Sequence, residues 1–410
     1  MLKRRQGFCA IVLAAIAVIA WLTVLGGSRS ATRVSAAEPE PLPFTAPYYA
    51  SISQRFGVGL DTGITVSVGG EVRNSLITDY DVGSLHVGWY SDWWASPHPL
   101  RPGGIRYAQM ILVRASSYPT DTLALTETIN AETRGSLWIV GNEPECPVGQ
   151  GSRTPGEYAS IYHDVYTQIK RLDPTAPVAI GGVVEPTPLR LQWLDAVLSE
   201  YQRLYGEPMP VDVWNIHVQV LQELPGSWGA GIPVGLAAQS GVTYTLRDNA
   251  NSVLFCELVL GFRQWMKERG FQDRPLIISE YGVLMPSTYL VESGSEAEGN
   301  RKLIGFMQDT FSFLVNARDP GLGYAADEGR LVQQWLWYSL NDQPYDLNTG
   351  RGFNGSLFSY RDPTSITPFG VALRSYMRLL LGPKVLLPVI RAARTVQQAA
   401  PTRSGFVIRD

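Results

Sequence analysis

Two glutamates stand directly after short apolar stretches, a position that suits chemistry by paired carboxyls. Glu143 follows the stretch 138–141 and Asn142, and Glu280 follows the stretch 276–279. Either glutamate alone is as readily explained by a solvated turn or a structural ion pair. If both stretches are parallel strands of one barrel, the two carboxyls lie at its carboxyl-terminal rim, where active sites are found. Two facing carboxyls are what the hydrolysis of a glycosidic bond requires.

The stretches before the glutamates belong to a series of eight short apolar runs bounded by turn residues. The runs lack regular alternation, which is typical of strands buried on both faces. Helical patterns separate the later runs, and one begins with a capping box at Thr154 and Glu157. Alternating strands and helices predict parallel pairing through crossovers. We therefore predict an α/β fold with a single (β/α)8 TIM barrel over residues 48–383; an open doubly wound sheet is the alternative. The runs are Phe56–Leu60, Ser84–Trp89, Tyr107–Val113, Leu137–Gly141, Val178–Val183, Val211–Val218, Leu276–Ser279 and Val332–Tyr338.

With these motifs, residues 50–382 resemble the clan A glycoside hydrolases, the four-over-seven superfamily. Its members are β/α barrels with an Asn-Glu pair ending the fourth strand and a Glu ending the seventh. The resemblance implies that Glu143 is the acid/base, that Glu280 is the nucleophile and that Asn142 binds the sugar 2-hydroxyl. It also implies a retaining hydrolase of β-glycosidic bonds in an oligosaccharide or polysaccharide, with no metal or organic cofactor.

Further substrate-binding residues follow from the resemblance or from local composition. The superfamily often has a His near the glutamates at strand six, which matches His217, and a Trp at strand eight, which matches Trp337 and, on the same strand face, Trp335. Many members carry Tyr two residues beyond that His, whereas this chain has Gln219. Four more residues complete the predicted set. Trp93 and Trp94 lie in the aromatic cluster after strand two, Tyr281 follows Glu280, and Arg114 ends strand three.

The predicted mechanism assigns different tasks to the two carboxyls. Glu280 attacks as an anion, and its charge raises the pKa of Glu143, so that Glu143 can donate a proton. Because a retaining enzyme needs its carboxyls about 5–5.5 Å apart, we expect this short separation. A surface glycan-binding barrel without activity and a transglycosylase using the same intermediate remain alternatives. Hydrolysis by a metal site lacks sequence support, since the four His show no short ligand spacing.

The first residues predict export. Three basic residues precede an apolar run from Phe8 to Leu25, as in a signal peptide or a signal anchor over residues 1–37. A proline-rich linker, 38–47, precedes the barrel, and the tail 384–410 is unassigned. We therefore expect an extracytoplasmic domain that contacts membrane only through its N-terminal segment.

Charge and cysteine content restrict the partners further. The chain has a formal net charge of −3, and residues 1–36 contain five Lys or Arg and no acid, which leaves −8 on the remainder. An acidic domain is a poor nucleic-acid binder, and a carbohydrate is the expected partner. Cys146 and Cys256 lie outside the N-terminal segment. They are either a disulfide, which export permits, or two buried thiols, which we favour slightly.

Overall fold

The computed structural model describes residues 48–118, 124–147 and 151–382. The predicted signal peptide or anchor, the linker and the C-terminal tail fall outside this range and stay predictions. Within the described residues, no helix is both long and apolar enough to cross a membrane.

The described residues contain eleven strands, most of them short and buried. The strands are β1 (Phe56–Gly59), β2 (Thr65–Val68), β3 (Glu71–Asn74), β4 (Trp89–Ser91), β5 (Arg106–Tyr107), β6 (Gln109–Ile111), β7 (Trp138–Asn142), β8 (Val178–Gly182), β9 (Trp214–His217), β10 (Leu276–Gly282) and β11 (Gln334–Tyr338). Every predicted apolar run overlaps one of these strands. The second run shares only Trp89 with its strand and otherwise precedes it.

Parallel pairing joins all of these strands except β2 and β3, which form a separate antiparallel hairpin. One sheet has the order β5-β4-β1-β11-β10-β9, and another has the order β6-β7-β8. Two parallel bridges, Ala179 to Val213 and Val183 to Ile216, join β8 to β9. At the other edge a single residue, Ala108, separates β5 from β6. The predicted α/β fold with parallel strands is therefore confirmed.

The described residues contain seven α-helices, and the five long ones, α3 to α7, follow the later strands and cover one face of the sheets. The helices are α1 (Ile52–Arg55), α2 (Leu125–Thr128), α3 (Pro155–Leu172), α4 (Pro188–Tyr205), α5 (Ser252–Glu268), α6 (Glu296–Asn316) and α7 (Pro368–Leu381). The predicted capping box begins α3: Thr154 Oγ1 accepts the amide hydrogen of Glu157, and the Glu157 carboxylate accepts that of Thr154. Thr187 and Thr367 cap α4 and α7 in a similar way, each before a proline.

The first three strand–helix units depart from the prediction. The hairpin β2–β3 and short 3₁₀ turns connect β1 to β4, and a 3₁₀ turn at Pro102–Gly104 precedes β5. Among the described residues between β6 and β7, the only α-helix is the single turn α2. The predicted strand Ser84–Trp89 was misplaced, because Asp81 accepts the amide hydrogen of Ser84 and caps a 3₁₀ helix at Val82–Leu85.

Alternate residues of each strand enter two different clusters of buried side chains. On β11, Leu336 belongs to the cluster on the face away from the helices, together with Ile139 of β7 and Ile277 of β10. Trp335 and Trp337 belong to the larger cluster that includes the helix residues. This separation follows from the period of two along a strand. Cys146 and Cys256 are buried thiols and form no disulfide with each other.

The burial of Trp337 predicts a structural role for this side chain. It is 1% exposed, its ring meets Tyr281 and Phe311 edge to face, and its indole nitrogen donates to Gly355 O at 2.9 Å. Removing a large ring from a packed core typically costs about 3–5 kcal/mol. Trp337→Ala should therefore lower the free energy of unfolding by about that amount in denaturant titrations. Trp94, which is 46% exposed, supplies the control, and Trp94→Ala should lose about 1 kcal/mol or less. Equal midpoints for the two variants would contradict this assignment.

Candidate active site

A cleft of about 1210 Å³ opens at the carboxyl ends of the parallel strands. Its lining includes both predicted catalytic glutamates, Glu143 and Glu280, and the neighbouring Asn142. Each glutamate is 8% exposed, so both carboxyls are largely withdrawn from bulk water while they still face the cleft. This placement is the arrangement that the two strand-end motifs predicted.

A sharp backbone turn presents Glu143 at the end of β7. Gly141 has a φ of 98° and Glu143 a φ of 42°, and the second value is unusual for a residue with a side chain. The amide of Glu143 donates to Gly182 O at 3.1 Å, and its carbonyl accepts from Cys146 N at 3.0 Å. Such conformations persist only where the surroundings enforce them, and they concentrate at functional sites.

A bulge in β10 presents Glu280. The pairing of β10 with β9 shifts between Ile278 and Glu280, and its pairing with β11 shifts between Ile278 and Tyr281. A bulge re-aims the side chains that follow it. As a result, the adjacent residues Ser279 and Glu280 both contact the site, whereas Tyr281 turns toward Phe255 in the helix-side core.

His217 at the end of β9 lies between the two carboxyls. Its Nδ1 is 3.0 Å from Glu143 Oε1 and 3.9 Å from Glu280 Oε2, and its Nε2 is 3.1 Å from Ser279 Oγ. The ring is fully buried beneath the cleft. Gly182 makes room for it, because a Cβ at this position would lie 2.5 Å from the ring.

The electrostatics of the three groups are mutually dependent. Burial raises the pKa of Glu280 to about 7; His217 opposes this rise, Glu143 adds to it, and hydrogen bonds from Gln219 and Trp93 oppose it. Burial disfavours the charged form of His217, but the carboxylates of Glu280 and Glu143 outweigh burial and raise its pKa. Near neutral pH both shifts favour the protonated forms of Glu280 and His217 over those of the same groups in water.

Gln219 and an aromatic wall complete the surroundings of Glu280. Gln219 Nε2 donates to Glu280 Oε1 at 3.1 Å. The ring of Tyr338 lies between those of Trp93 and Phe353, with centroid distances of 5.2 and 4.8 Å. All three rings line the cleft. Apolar ring faces next to carboxyl groups suit a sugar, which has C–H faces and hydroxyl edges.

A second carboxyl pair lies farther along the cleft. Tyr338 OH donates to Asp342 Oδ2 at 2.9 Å, and burial together with the charge of Asp61 raises the pKa of Asp342 to about 7. Burial also raises the pKa of Asp61. Both carboxyls line the cleft and add hydrogen-bonding capacity beside the aromatic wall.

Six of the ten residues predicted for the site line the cleft, and His217 lies directly beneath it. The six are Asn142, Glu143, Glu280, Trp93, Trp94 and Arg114. Arg114 donates to Ser117 Oγ at 3.0 Å and lies over the Trp94 ring.

Tyr281, Trp335 and Trp337 were assigned to the substrate incorrectly. All three are buried in the helix-side core, because they occupy the strand positions that face away from the cleft. The inward position at the end of β11 belongs to Tyr338, which sequence reasoning missed. A period-two count from the buried Gln334 through Leu336 would have indicated it.

A buried ion cluster connects the segment after β9, which forms one wall of the cleft, to the rest of the domain. Arg190 of α4 donates from Nε to Glu145 Oε1 at 2.8 Å, from Nη1 to Glu223, and from Nη2 to Ala230 O at 3.2 Å. Val184 N also donates to Glu145, at 2.8 Å. The cluster thus links the turn after Glu143 to the opposite wall. Removing one partner of such a buried pair typically costs about 3–5 kcal/mol.

The cluster of Glu143, His217 and Glu280 also has donor atoms suited to a metal ion. One ligand atom each from Glu143, His217 and Glu280 lies within 4.8 Å of the others. Imidazole and carboxylate ligands are compatible with zinc. In the structure described, however, His217 Nδ1 is within hydrogen-bonding distance of Glu143.

The raised pKa of Glu280 can be measured without any substrate. In protein labelled with ¹³C at glutamate carboxyls, Glu280→Gln should abolish a resonance that titrates near pH 7, while the resonance of Glu185, whose pKa burial also raises, should remain. His217→Asn should move the titration to higher pH, because it removes a group that lowers the pKa of Glu280. Glu207→Gln, at an exposed position, should leave the titration unchanged. A protein in which every glutamate titrates below pH 6 would contradict the assignment.

No family model matches the sequence, and no curated protein matches it. Similar solved structures include a GH128 (subgroup II) endo-β-1,3-glucanase from Sorangium cellulosum, at 16% identity and a TM-score of 0.46, covering 72% of this chain and 94% of that one. A GH128 (subgroup I) endo-β-1,3-glucanase from Amycolatopsis mediterranei, in complex with laminarihexaose, has 17% identity, a TM-score of 0.46 and coverage of 78% and 98%. A GH128 (subgroup VII) oligosaccharide-binding protein from Trichoderma gamsii has 12% identity, a TM-score of 0.45 and coverage of 80% and 95%.

Proposed function

We propose that this protein is a retaining glycoside hydrolase that cleaves β-glycosidic bonds, with Glu280 as nucleophile and Glu143 as acid/base. The observation that carries the proposal is the approach of the two carboxyls. An oxygen of Glu143 and an oxygen of Glu280 lie within 4.8 Å of each other in an open cleft. This separation matches the roughly 5–5.5 Å of retaining enzymes better than the roughly 6.5–9.5 Å of inverting ones, which accommodate a water.

The strand pairings support the further proposal that a closed eight-stranded barrel carries the site. In this reading β5 and β6 are two parts of one strand, which pairs with β4 through Arg106–Tyr107 and with β7 through Gln109–Ile111. The bridges between β8 and β9 complete the circuit. Glu143 and Glu280 then end the fourth and seventh strands, on the face where barrel enzymes carry their sites.

The first chemical step would form a glycosyl ester. Glu280 attacks the anomeric carbon while the bond from that carbon to the leaving oxygen breaks, and Glu143 gives its proton to that oxygen. Glu280 Oε1 accepts from Gln219, so we assign the attack to Oε2, the oxygen that faces His217. His217 contacts both carboxyls and is suited to stabilise the charge that moves between them.

The second step reverses the proton transfer. Once Glu280 is esterified its negative charge is gone, so Glu143 can take a proton from water. The water oxygen bonds to the anomeric carbon, the bond to Glu280 breaks, and the free carboxylate returns. Two inversions restore the original configuration. Attack by a sugar hydroxyl instead of water would give transglycosylation through the same intermediate.

Retention and azide rescue test these roles. The first product formed from an aryl β-glycoside should keep the β configuration in ¹H NMR. Glu280→Gln should remove nearly all activity. Glu143→Ala should slow turnover about 10²–10⁴-fold on poor leaving groups, and azide should partly restore turnover by attacking without base help.

Glu207→Gln is the matched control and should keep wild-type rates. An inverted product would refute the nucleophile role of Glu280. Carbohydrate binding without hydrolysis would indicate a glycan-binding protein. Activity that chelators remove and divalent ions restore would indicate metal chemistry at Glu143, His217 and Glu280.

Tyr338 should provide an aromatic face for the sugar bound next to Glu280. Tyr338→Ala should raise KM and lower kcat/KM by about tenfold or more, because stacking area in the cleft is lost. Tyr338→Phe keeps the ring and loses only the hydroxyl that bonds Asp342, so it should retain most binding. Equal defects in the two variants would show that the hydroxyl, rather than the ring face, matters.

A further inference from the structure

The amide of Gln219 has one end bonded to the nucleophile and the other end unmatched. Nε2 donates to Glu280 Oε1, whereas Oε1 of Gln219 is buried and has no hydrogen-bond partner among the described residues. The reverse orientation would place the amide oxygen against a carboxylate oxygen, so Glu280 fixes which end points outward.

Gln219 is held at the cleft next to Glu280 by its backbone. Its backbone amide donates to Val184 O at 3.2 Å, and its carbonyl accepts from Leu221 N at 3.0 Å. The residue is 1% exposed, yet it lines the cleft. Because leaving a buried acceptor unpaired is unfavourable, a ligand that brings a donor to this place gains affinity.

We propose that Gln219 Oε1 accepts a hydrogen bond from the hydroxyl on the carbon next to the anomeric carbon of the sugar bound at Glu280. This is the 2-hydroxyl that the resemblance assigns to Asn142, and one hydroxyl can donate to Gln219 while it accepts from the Asn142 amide. This inference rests on the proposed glycosidase function. Glu280 Oε2 attacks the anomeric carbon, and Gln219 sits on the Oε1 side, one carboxylate oxygen away. A substituent one bond from the anomeric carbon is therefore the nearest donor that the sugar can offer.

The inference makes Gln219 a specificity-determining residue for sugars that carry this hydroxyl. An amide serves both partners at once, donating to the nucleophile and accepting from the substrate. A site that bonds a hydroxyl discriminates against an analogue without it, because its polar group is then left unpaired. Sugars lacking the hydroxyl should be poor substrates for the wild-type protein beyond any difference in their intrinsic reactivity.

A substrate-by-residue cycle on the full chain tests the proposal. The probes are the aryl β-glycoside that the wild-type protein hydrolyses best and its 2-deoxy counterpart, and the readout is the ratio of their kcat/KM values. Gln219→Met has similar length and no hydrogen-bonding amide. It should reduce the preference for the hydroxylated substrate about tenfold, and intrinsic reactivity cancels in the comparison.

Gln219→Glu separates the two ends of the amide. It keeps an acceptor, so the preference should stay closer to wild type than in Gln219→Met, but it loses the donor to Glu280. The acid limb of its pH profile should therefore move to higher pH. Gln202→Met, at an exposed helix position, is the matched control and should leave both ratio and profile unchanged.

The possible outcomes distinguish a failure of the Gln219 inference from a failure of the proposed glycosidase function. Equal losses on both substrates in Gln219→Met, with the ratio unchanged, would overturn the inference while leaving the glycosidase function intact. A wild-type protein that hydrolyses no β-glycoside would refute the proposed function itself. Should Gln219→Met fail to fold, Gln219→Glu supplies the test. Because this variant keeps an acceptor, its loss of the preference for the hydroxylated substrate would overturn the inference.

Discussion

The contact of one imidazole with two buried carboxyls is the constraint on which the rest of the site depends. Glu143 and Glu280 approach closely in a region with little water, where like charges repel strongly. His217 lies between them and also contacts Ser279, which fixes the orientation of its ring. Gly182 leaves the space that the ring occupies. The cluster therefore needs β7, β8, β9 and β10 in one register, so the alignment of four strands and the chemistry cannot vary independently.

The site also requires irregular backbone at the ends of two strands. A regular strand would direct Ser279 and Glu280 to opposite faces. The bulge in β10 lets Ser279 support His217 while Glu280 enters the cleft. The left-handed conformation of Glu143 does the equivalent for β7. Regular pairing supplies the rigid frame, and local departures from it direct the two carboxyls into the cleft.

The sequence predicted the parts of this molecule that depend on local patterns. Short apolar runs located the strands, helix caps located α3, and strand-end glutamates located two carboxyls that meet in the cleft. The prediction failed for Trp335 and Trp337 because a strand buried on both faces has no polar face. Its sequence therefore does not indicate which residues face the helices and which face the cleft side. The inward series of β11 is Gln334, Leu336 and Tyr338, and its one polar member bonds to Tyr48 O and Gln54 O at the opposite end.

The sequence did not predict the absence of the early helices or the bulge in β10, and the reason differs from that for the tryptophans. Whether a crossover forms a helix, a hairpin or a 3₁₀ turn depends on the space that neighbouring elements leave, which local propensity does not encode. The register shift in β10 depends on both neighbouring strands at once. Gln219 was visible in the sequence as a departure from the pattern of the superfamily that the chain resembles. Its meaning appeared only with the distance to Glu280.

The charge of the cleft constrains the ligand in a way that composition alone only suggested. Its walls carry five carboxyls, those of Asp61, Asp92, Glu143, Glu280 and Asp342, against one arginine among the described lining residues. Arg114 is already bonded to Ser117 and packed on Trp94. Burial raises the pKa of Asp61, Asp92 and Asp342, so these groups take up protons more readily than exposed carboxyls and then both donate and accept hydrogen bonds. A polyanion would meet repulsion there, whereas a neutral ligand rich in hydroxyls can match such groups at every contact.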